Sequence, residues 1–253
     1  MDLDLGGSVA LVTGGVRGVG LGISQVLVEC GATVVACARR PHDVALPGVE
    51  FHTCDVRDPD QVQRLADTIV ERHGRLDVLV NNAGGSPSAD AATAGPRFHA
   101  KIIELNLLAP LLVSQVANAV MQRQDGGGAI VMVSSVSGHR ASPGTAAYGA
   151  AKAGLDNLVA SLAVEWAPKV RVNSVAAGMV HTEQSHLHYG DHDGVAAVGR
   201  TVPLGRLAMP EEIGRCVAFL ASPLASYVSG STLTAHGGGE VPAFLGAAKG
   251  TGE

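Results

Sequence analysis

Short runs of β-branched and apolar residues alternate along the chain with longer segments in which apolar positions recur at helical spacing. The strand-like runs cover 9–13, 33–37, 78–80, 129–134 and 170–176, with a late run at 231–235. The helical patterns lie near 18–30, 59–73, 98–122, 146–166 and 210–221. Such alternation predicts βαβ units. We therefore predict one α/β domain over residues 1–253, with a doubly wound parallel sheet of about seven strands and helices on both faces.

Two segments interrupt this alternation. Residues 84–96 are rich in Gly, Ser, Pro and Ala, and they predict a loop. Residues 180–206 are long and partly polar, and a connection of that length in a compact domain is commonly a lid over a binding site. Both segments follow predicted strands, so we expect them at the carboxyl ends of the sheet, where open parallel sheets bind ligands. The small, polar tail 241–253 is predicted to be mobile.

Composition narrows the class of protein. The 253 residues are 46% hydrophobic and 16% charged, which favours a packed core over disorder. The net charge is −5, and no Lys/Arg run is longer than Arg39-Arg40, so we expect no nucleic-acid partner.

The 4 cysteines form no C-x-x-C pair, which fits a reduced compartment. The beginning of the chain lacks a basic signal-peptide region, and polar residues interrupt the apolar stretch 105–120. We expect a cytoplasmic protein without a membrane span.

The first strand–helix turn reads T-G-G-V-R-G-V-G from Thr13 to Gly20. Glycines at Gly14, Gly18 and Gly20 allow a tight turn, a close approach of the backbone to a pyrophosphate, and packing of the helix on the strand. The N-terminus of the following helix offers its N–H groups and the positive end of its dipole to the phosphates. A tight turn without a ligand is the alternative, but the position in the first βαβ unit favours dinucleotide binding.

The end of the second strand indicates which dinucleotide is bound. Sites for NAD usually carry Asp or Glu about 20 residues after the glycine turn. This strand ends instead at Ala38-Arg39-Arg40. Guanidinium groups bind a 2′-phosphate bidentately, and Arg17 in the glycine turn is a third candidate cation. We predict a preference for NADP(H), with NAD(H) as the other cofactor that the site accepts. The alternative is that Arg39 and Arg40 are solvated arginines at a strand end.

Tyr148 and Lys152 are four residues apart at the start of a helical pattern, which puts both on one face. An ammonium stabilises a nearby phenolate, so we expect Lys152 to lower the pKa of Tyr148 from about 10 toward neutrality. Such a tyrosine can exchange a proton with a carbonyl or alcohol oxygen, and Ser135 can hydrogen-bond the same oxygen. Taken singly, Tyr148 and Lys152 read as a surface pair and Ser135 as a turn or cap residue.

Together these residues resemble the short-chain dehydrogenase/reductase family over nearly the whole chain. The motifs that carry the resemblance are T-G-x-x-x-G-x-G at 13–20, N-N-A-G at 81–84, Asn106 in the next long helix, Ser135, and Y-x-x-x-K at 148–152. The resemblance implies a Rossmann fold and makes Tyr148 the general acid/base. It implies that Lys152 lowers the pKa of Tyr148 and bonds the nicotinamide ribose. Ser135 would position the reacting oxygen, and Asn106 would support a water relay.

The same resemblance extends the predicted cofactor site. Asp55-Val56 matches the pair that flanks the adenine, and the segment 179–182 matches the one that meets the nicotinamide amide. The predicted cofactor-binding residues are Gly14, Arg17, Gly18, Val19, Gly20, Arg39, Arg40, Asp55, Val56, Asn82, Ala83, Gly84, Tyr148, Lys152, Gly178, Val180 and Thr182. Related enzymes form dimers or tetramers, so we expect a homo-oligomer, with the helix around 105–120 as a partner surface.

Two departures from the family pattern bear on the site. Ala177-Gly178 stands where the family usually has Pro-Gly, so we expect a looser edge at the nicotinamide. His236 stands where the family often has Asp before Gly-Gly, a change that bears on C-terminal packing and assembly.

Four histidines of the 180–206 segment raise the hypothesis of a zinc site. They lack an H-E-x-x-H spacing, so a polar lid is favoured and no metal is expected.

Two functions remain open. The first is an oxidoreductase that transfers a hydride between NADP(H) and a small-molecule carbonyl or secondary alcohol, with Tyr148 as general acid/base. The alternative is a dinucleotide-binding regulatory or sensor protein without turnover. All positions of the predicted catalytic set are filled, which favours the enzyme. Acyl thioesters, steroids, sugars and other ketones all remain as substrate classes.

Overall fold

Seven parallel strands form one sheet in the computed structural model of the protein, which describes residues 3–40 and 46–247. The strands are β1 (Val9–Thr13), β2 (Thr33–Ala38), β3 (Val49–Thr53), β4 (Val78–Asn81), β5 (Gly128–Ser135), β6 (Val170–Ala177) and β7 (Thr232–Ala235). Their order across the sheet is β3-β2-β1-β4-β5-β6-β7. The predicted α/β fold is therefore confirmed.

Helices cover both faces of this sheet. They are α1 (Gly18–Glu29), α2 (Pro59–His73), α3 (Pro96–Ile103), α4 (Ala109–Met121), α5 (Ala146–Glu165), α6 (His186–Tyr189), α7 (His192–Gly199), α8 (Pro210–Ala221) and α9 (Ala243–Ala247). One apolar cluster packs α2, α4 and α5 against the sheet, and a second packs α1 and α8 against the other face. This arrangement is the doubly wound architecture that the alternating pattern predicts.

The strand side chains explain why the sheet is covered twice. In β1, Val9 and Leu11 belong to one core cluster, whereas Ala10 and Val12 belong to the other. Successive side chains of a strand point to opposite faces, so a strand that is apolar at every position buries both. Full burial of each such Leu or Val side chain stabilises the fold by about 1.5–3 kcal/mol.

Strand β3 is absent from the strands that the sequence pattern predicts. It lies at the edge of the sheet and pairs only with β2, with Val34 opposite Val49 and Ala38 opposite Thr53. Its residues are half-buried or exposed, and three of them, Glu50, His52 and Thr53, are polar. An edge strand needs less apolar surface than a central one, so the hydrophobic pattern gave no signal for it.

The long apolar segment predicted as one helix near 98–122 is divided in the structure. A π-helical segment, Glu104–Leu108, separates α3 from α4 and contains the fully buried Asn106. The predicted lid also differs from a plain loop, because it contains the two short helices α6 and α7. The tail contributes α9, and its last residues, 248–253, lie outside the described residues, so the predicted mobility stays a prediction.

Within the described residues, Pro96–Met121 is the one helical stretch long and apolar enough to pass a test for a membrane span, by length and composition alone. Core helices of soluble proteins pass the same test. Here Val113, Ala117 and Met121 pack into the core beneath the sheet. The stretch therefore buries one face in the core, which is consistent with the interpretation of this segment as a buried or interface helix.

The strand order places a binding crevice. Strands β2 and β3 follow β1 on one side of it, and β4 then pairs with β1 on its other side. The connections that leave β1 and β4 therefore diverge, and open α/β sheets bind ligands at this point, beyond the carboxyl ends of the strands.

Candidate active site

A cavity of about 810 Å³ lies beyond the carboxyl ends of the central strands. Its lining includes every residue predicted from the sequence as catalytic or cofactor-binding except Asn106. In chain order these are Gly14, Arg17, Gly18, Val19, Gly20, Arg39, Arg40, Asp55, Val56, Asn82, Ala83, Gly84, Ser135, Tyr148, Lys152, Gly178, Val180 and Thr182. Residues from distant parts of the chain thus meet in one place.

The glycine turn has the geometry of a phosphate cradle. Gly14 and Gly18 have positive φ angles of 66° and 51°, which only glycine adopts without strain. At Gly20 an added Cβ would lie 2.1 Å from the Gly14 carbonyl oxygen, so the backbone has no room for a side chain there. The first turn of α1 contains no acidic residue and receives no side-chain cap from Arg17. An anionic group therefore fits this end of the cavity.

The end of β4 holds the glycine turn in place. The Thr13 hydroxyl oxygen accepts the N–H groups of Asn82 and Ala83, each at 3.0 Å. The Asn82 side chain donates back to the carbonyl oxygens of Thr13 and Gly14, at 2.9 and 3.2 Å. These bonds tie the N-N-A-G segment to the turn. The side chain of Asn82 is therefore committed to shaping the cavity wall.

Cations collect at the β2 end of the cavity. Arg17, Arg39 and Arg40 are all exposed and line it. Arg57 lines it as well, but its guanidinium bonds the Asp55 carboxylate at 2.6 and 2.9 Å. This contact lowers the pKa of Asp55, so the carboxylate is charged at neutral pH. Within residues 3–40 and 46–247, Arg17, Arg39 and Arg40 form no ion pair with a carboxylate, although the charge of Arg39 helps to lower the pKa of Asp55.

Tyr148, Ser135 and Lys152 form the chemical centre of the cavity. The Tyr148 hydroxyl hydrogen-bonds to Ser135, whose oxygen also accepts the Ser137 N–H at 3.1 Å. The Lys152 Nζ lies 5.6 Å from the centroid of the Tyr148 ring and donates to the Val133 carbonyl oxygen at 2.7 Å. The helix α5 therefore presents phenol and ammonium side by side, as the spacing predicts.

Burial governs both ionisable groups of this centre. It raises the pKa of Tyr148 above its usual value, while the Ser135 hydrogen bond acts in the opposite direction. Burial also lowers the pKa of Lys152 to about 8. The shift at Tyr148 is opposite to the one that we expected from its neighbour Lys152, because loss of solvation disfavours the phenolate. Tyr148 therefore carries its proton at neutral pH in this structure.

Asn106 lies behind the cavity rather than in its lining. Its side-chain oxygen accepts the Gly85 N–H at 2.8 Å, and its amide donates to the carbonyl oxygens of Gly85 and Ile102 at 3.0 and 2.9 Å. The π-helical segment thus positions a clamp on the loop after β4. Such segments recur at functional sites.

The opposite wall comes from the end of β6 and the lid. Gly178 donates its N–H to the Ala235 carbonyl oxygen at 2.9 Å, and Val180 pairs with Ala208. Ala177 is paired on both sides, with Ser135 in β5 and Ala235 in β7. The strand therefore continues through the position where the family usually has proline, and the looser edge stays a prediction.

Several lining residues were not predicted. Arg57, Gln184, His188 and Tyr189 all face the main cavity. Tyr189 is close enough to Tyr148 for its charge to raise the pKa of Tyr148. The sequence carried a signal only for Arg57, which follows the recognised Asp55-Val56 pair. The lid residues carry no motif, and only the folding of α6 brings them to the site.

An ion pair lies near Tyr189 of the lid. Arg140 pairs with Glu240, and both line a neighbouring cavity of about 450 Å³ together with His139 and His236.

Within residues 3–40 and 46–247, no group of three or more His, Cys, Asp or Glu residues is arranged to hold a metal ion. Cys30, Cys37, Cys54 and Cys216 are free thiols.

Comparison with known proteins identifies the family. A family model described as enoyl-(acyl carrier protein) reductase matches residues 14–240. The human dehydrogenase/reductase SDR family member 4 is 34% identical over 92% of this chain and 88% of its own. A tropinone reductase homolog of Arabidopsis thaliana is 35% identical over 95% of this chain and 93% of its own. The ligand-free aldohexose dehydrogenase of Thermoplasma acidophilum superposes with a TM-score of 0.86 at 29% identity, covering 97% of this chain and 96% of that one.

The glycine turn lies where the connections after β1 and β4 diverge, and the Tyr148–Lys152 pair lies in the same cavity. This combination in a parallel sheet is typical of a nicotinamide-dependent oxidoreductase. The chain belongs to the short-chain dehydrogenase/reductase family. Members of this family use NAD(P)(H) and act on small-molecule substrates. The glycine cradle, in which a Cβ at Gly20 would strike backbone, fits the pyrophosphate of such a cofactor.

Proposed function

We propose that this protein transfers a hydride between NADP(H) and a carbonyl/secondary-alcohol pair, with Tyr148 as general acid/base. The observation that carries the proposal is the convergence of Tyr148, Ser135 and Lys152 with the glycine turn in one cavity. The catalytic set comprises these three residues and Asn106. A small-molecule substrate enters from the lid side, where Tyr189 and His188 line the cavity.

Each side chain has a distinct task in carbonyl reduction. Bound nicotinamide supplies the hydride. Tyr148, protonated at neutral pH because burial raises its pKa, donates the proton to the carbonyl oxygen. Ser135, already in contact with that hydroxyl, holds the same oxygen. Lys152 has three N–H donors and uses one for Val133, so the others can hold the nicotinamide ribose. Asn106 keeps the loop at Gly85 in place.

The arginine set supports NADP(H) over NAD(H). A 2′-phosphate adds about two negative charges, which Arg17, Arg39 and Arg40 can neutralise with charge-assisted hydrogen bonds. NAD sites place a carboxylate at the end of the second strand. Here that carboxylate is missing, and the nearby Asp55 is engaged by Arg57.

A dinucleotide sensor without turnover is the weaker alternative. The relatives reported above are dehydrogenases and reductases by name, and the Tyr148–Ser135 contact is intact. A cytoplasmic homo-oligomer, as a dimer or tetramer, completes the proposal. It rests on the free thiols and on the exposed apolar side chains Leu108 and Val164 of the outer helices.

The decisive experiment is replacement of Tyr148 by phenylalanine. We expect Tyr148→Phe to lower kcat by about a hundredfold or more, since it removes the proton donor, while NADPH affinity changes little. Activity is followed by NADPH absorbance with a panel of aromatic ketones, α-diketones and secondary alcohols, and NADPH affinity by fluorescence.

The matched control is Tyr227→Phe, which removes the hydroxyl of a fully exposed tyrosine and leaves activity unchanged. Full activity in Tyr148→Phe would refute the assignment. Tight NADPH binding with no turnover of any panel member by the unmodified protein would favour the sensor.

A further inference from the structure

A largely buried carboxylate lies one helical turn beyond Lys152 on α5. The side chain of Asp156 is 13% exposed, and both of its oxygens are hydrogen-bonded. Oδ2 accepts the Ser134 hydroxyl at 2.8 Å and contacts His139 Nε2 at 2.9 Å. Oδ1 accepts the Ser174 hydroxyl at 2.8 Å. No sequence motif drew attention to this residue.

The partners of this carboxylate surround the chemical centre. Ser134 immediately precedes Ser135 in β5, and His139 lies in the turn that follows it. Ser174 belongs to β6, and its hydroxyl also contacts Thr232 of β7 at 2.7 Å. One side chain of α5 therefore connects the helix of Tyr148 and Lys152 to both flanks of Ser135. Withdrawing a carboxylate from water is costly unless its oxygens are hydrogen-bonded, and both oxygens of Asp156 have polar partners.

The charge of Asp156 also acts on Lys152. The two residues are i and i+4 on one helix, and the Lys152 side chain is 4% exposed. Burial lowers the pKa of Lys152 to about 8, and the negative charge of Asp156 acts against that shift. The helix therefore supplies the counter-charge that a buried ammonium requires.

We propose that Asp156 is a positioning residue of the reaction, which fixes Ser135 relative to Tyr148 and keeps the ammonium of Lys152 charged. This inference rests on the proposed function of Tyr148 and Lys152. Asp156 itself touches neither substrate nor cofactor, because it does not line the main cavity.

Other titratable groups on the surrounding elements must be considered in any pH profile. Arg140 and Glu240 form an ion pair with each other. The set is Tyr148 on α5, His139 and Arg140 in the turn after β5, Glu104 in the π-helical segment, Glu183, His188 and Tyr189 in the lid, and His236 and Glu240 after β7. Burial raises the pKa of Tyr148 and of Tyr189 and lowers that of Lys152 to about 8, so the fall of activity at alkaline pH, the alkaline limb, reports on these groups.

The test uses the intact protein and phenanthrenequinone, an activated diketone, as probe. Asp156→Asn removes the charge and keeps one acceptor oxygen. In the pH profile of kcat for reduction, we expect the alkaline limb to move to lower pH by about one unit. Without the negative charge of Asp156, Lys152 loses its proton at a lower pH. Asp156→Glu keeps the charge but changes its reach, so we expect the limb to stay and kcat to fall about tenfold.

The matched control is Asn157→Asp, which adds a charge at the neighbouring, exposed position of α5 and should leave the limb in place. Thermal unfolding and NADPH fluorescence report on folding and on cofactor binding. If Asp156→Asn does not accumulate as folded protein, Ser134→Ala and Ser174→Ala each remove one donor. We expect kcat to fall about fivefold in each.

An alkaline limb that stays unchanged in folded Asp156→Asn would overturn the inference, as would unchanged kcat in both serine variants. These outcomes differ from failure of the proposed function. That failure would appear as activity surviving Tyr148→Phe, whereas failure of this inference alone leaves Tyr148→Phe inactive.

Discussion

Charged side chains at one end of the cavity are the basis for the proposed preference for NADP(H). Arg39 is exposed beside the site, and Asp55 is already bound by Arg57. A charge-assisted hydrogen bond to phosphate contributes about 1.5–3 kcal/mol. A single arginine at this position is therefore worth about ten- to a hundredfold in NADPH affinity.

We predict that the unmodified protein binds NADPH more tightly than NADH, and that Arg39→Asp lowers NADPH affinity by about tenfold or more. The introduced carboxylate repels the 2′-phosphate and can accept the ribose hydroxyls of NADH, so the preference should reverse. Fluorescence titration with each cofactor measures both affinities.

Arg123→Asp makes the same change of net charge on an exposed arginine that does not line the cavity. It should leave the ratio of the two affinities intact. Equal affinity of the unmodified protein for NADPH and NADH would remove the argument for NADP(H).

Other residue-scale features depended on contacts that no motif describes. Asp55 was predicted from a motif to flank an adenine, yet the structure shows its carboxylate held by Arg57. The pKa of Tyr148 is raised rather than lowered, because burial outweighs its neighbours. Both outcomes depend on the solvation of a side chain, which is set by residues far away in the sequence.

Among the elements, the glycine turn and α1 show how closely backbone segments approach each other at the site. An alanine at Gly20 would bring its Cβ within 2.1 Å of the Gly14 carbonyl oxygen and 2.4 Å of the Asn82 amide nitrogen. These neighbours are held by the bonds between Asn82 and the turn. The turn therefore cannot open without loss of its shape.

We predict that Gly20→Ala destabilises the protein by about 1–3 kcal/mol and weakens NADPH binding, since the turn must shift. The free energy of unfolding and the fluorescence titration measure the two effects. Gly126→Ala is the control, because an added Cβ there meets nothing within 4 Å. Identical stability and affinity in both variants would contradict the close approach.

Elements with strong periodicity were predicted well, and weakly apolar ones were not. The observed α2 has the bounds predicted, because its apolar stripe and its Asp58 cap are local features. The edge strand β3 was missed, since its polar residues become a strand only by pairing with β2. The π-helical segment within the predicted long helix was likewise invisible to an apolar pattern.

At the scale of the whole molecule, the proposed self-association rests on exposed apolar side chains of the outer helices. Leu108 is 54% exposed at the end of the π-helical segment, and Val164 is 81% exposed on α5. Large apolar side chains exposed on the outer helices are typical of surfaces that another subunit covers. Both side chains belong to elements on the side of the sheet that carries α4 and α5.

We predict that the protein is a dimer or tetramer by size-exclusion chromatography with light scattering. Val164→Arg should shift it toward smaller species at micromolar concentration, because a buried unpaired charge disfavours the interface. Gln63→Arg, on the exposed face of α2, should leave the assembly unchanged. A monomeric unmodified protein would contradict the prediction.

The sequence alone determined the parallel α/β architecture and the family, because both follow from local periodicity and from closely spaced motifs such as Thr13–Gly20 and Tyr148–Lys152. Of the residues that it predicted for the site, all but Asn106 line the cavity, whereas lid residues such as Tyr189 were not predicted. Tertiary structure alone decided the surroundings of each group: the Arg57 contact on Asp55, the clamp by Asn106, and the bonds from Asp156 to both flanks of Ser135. The physical reason is that hydrogen bonds and desolvation depend on atoms that only the folded chain brings within a few ångströms of one another.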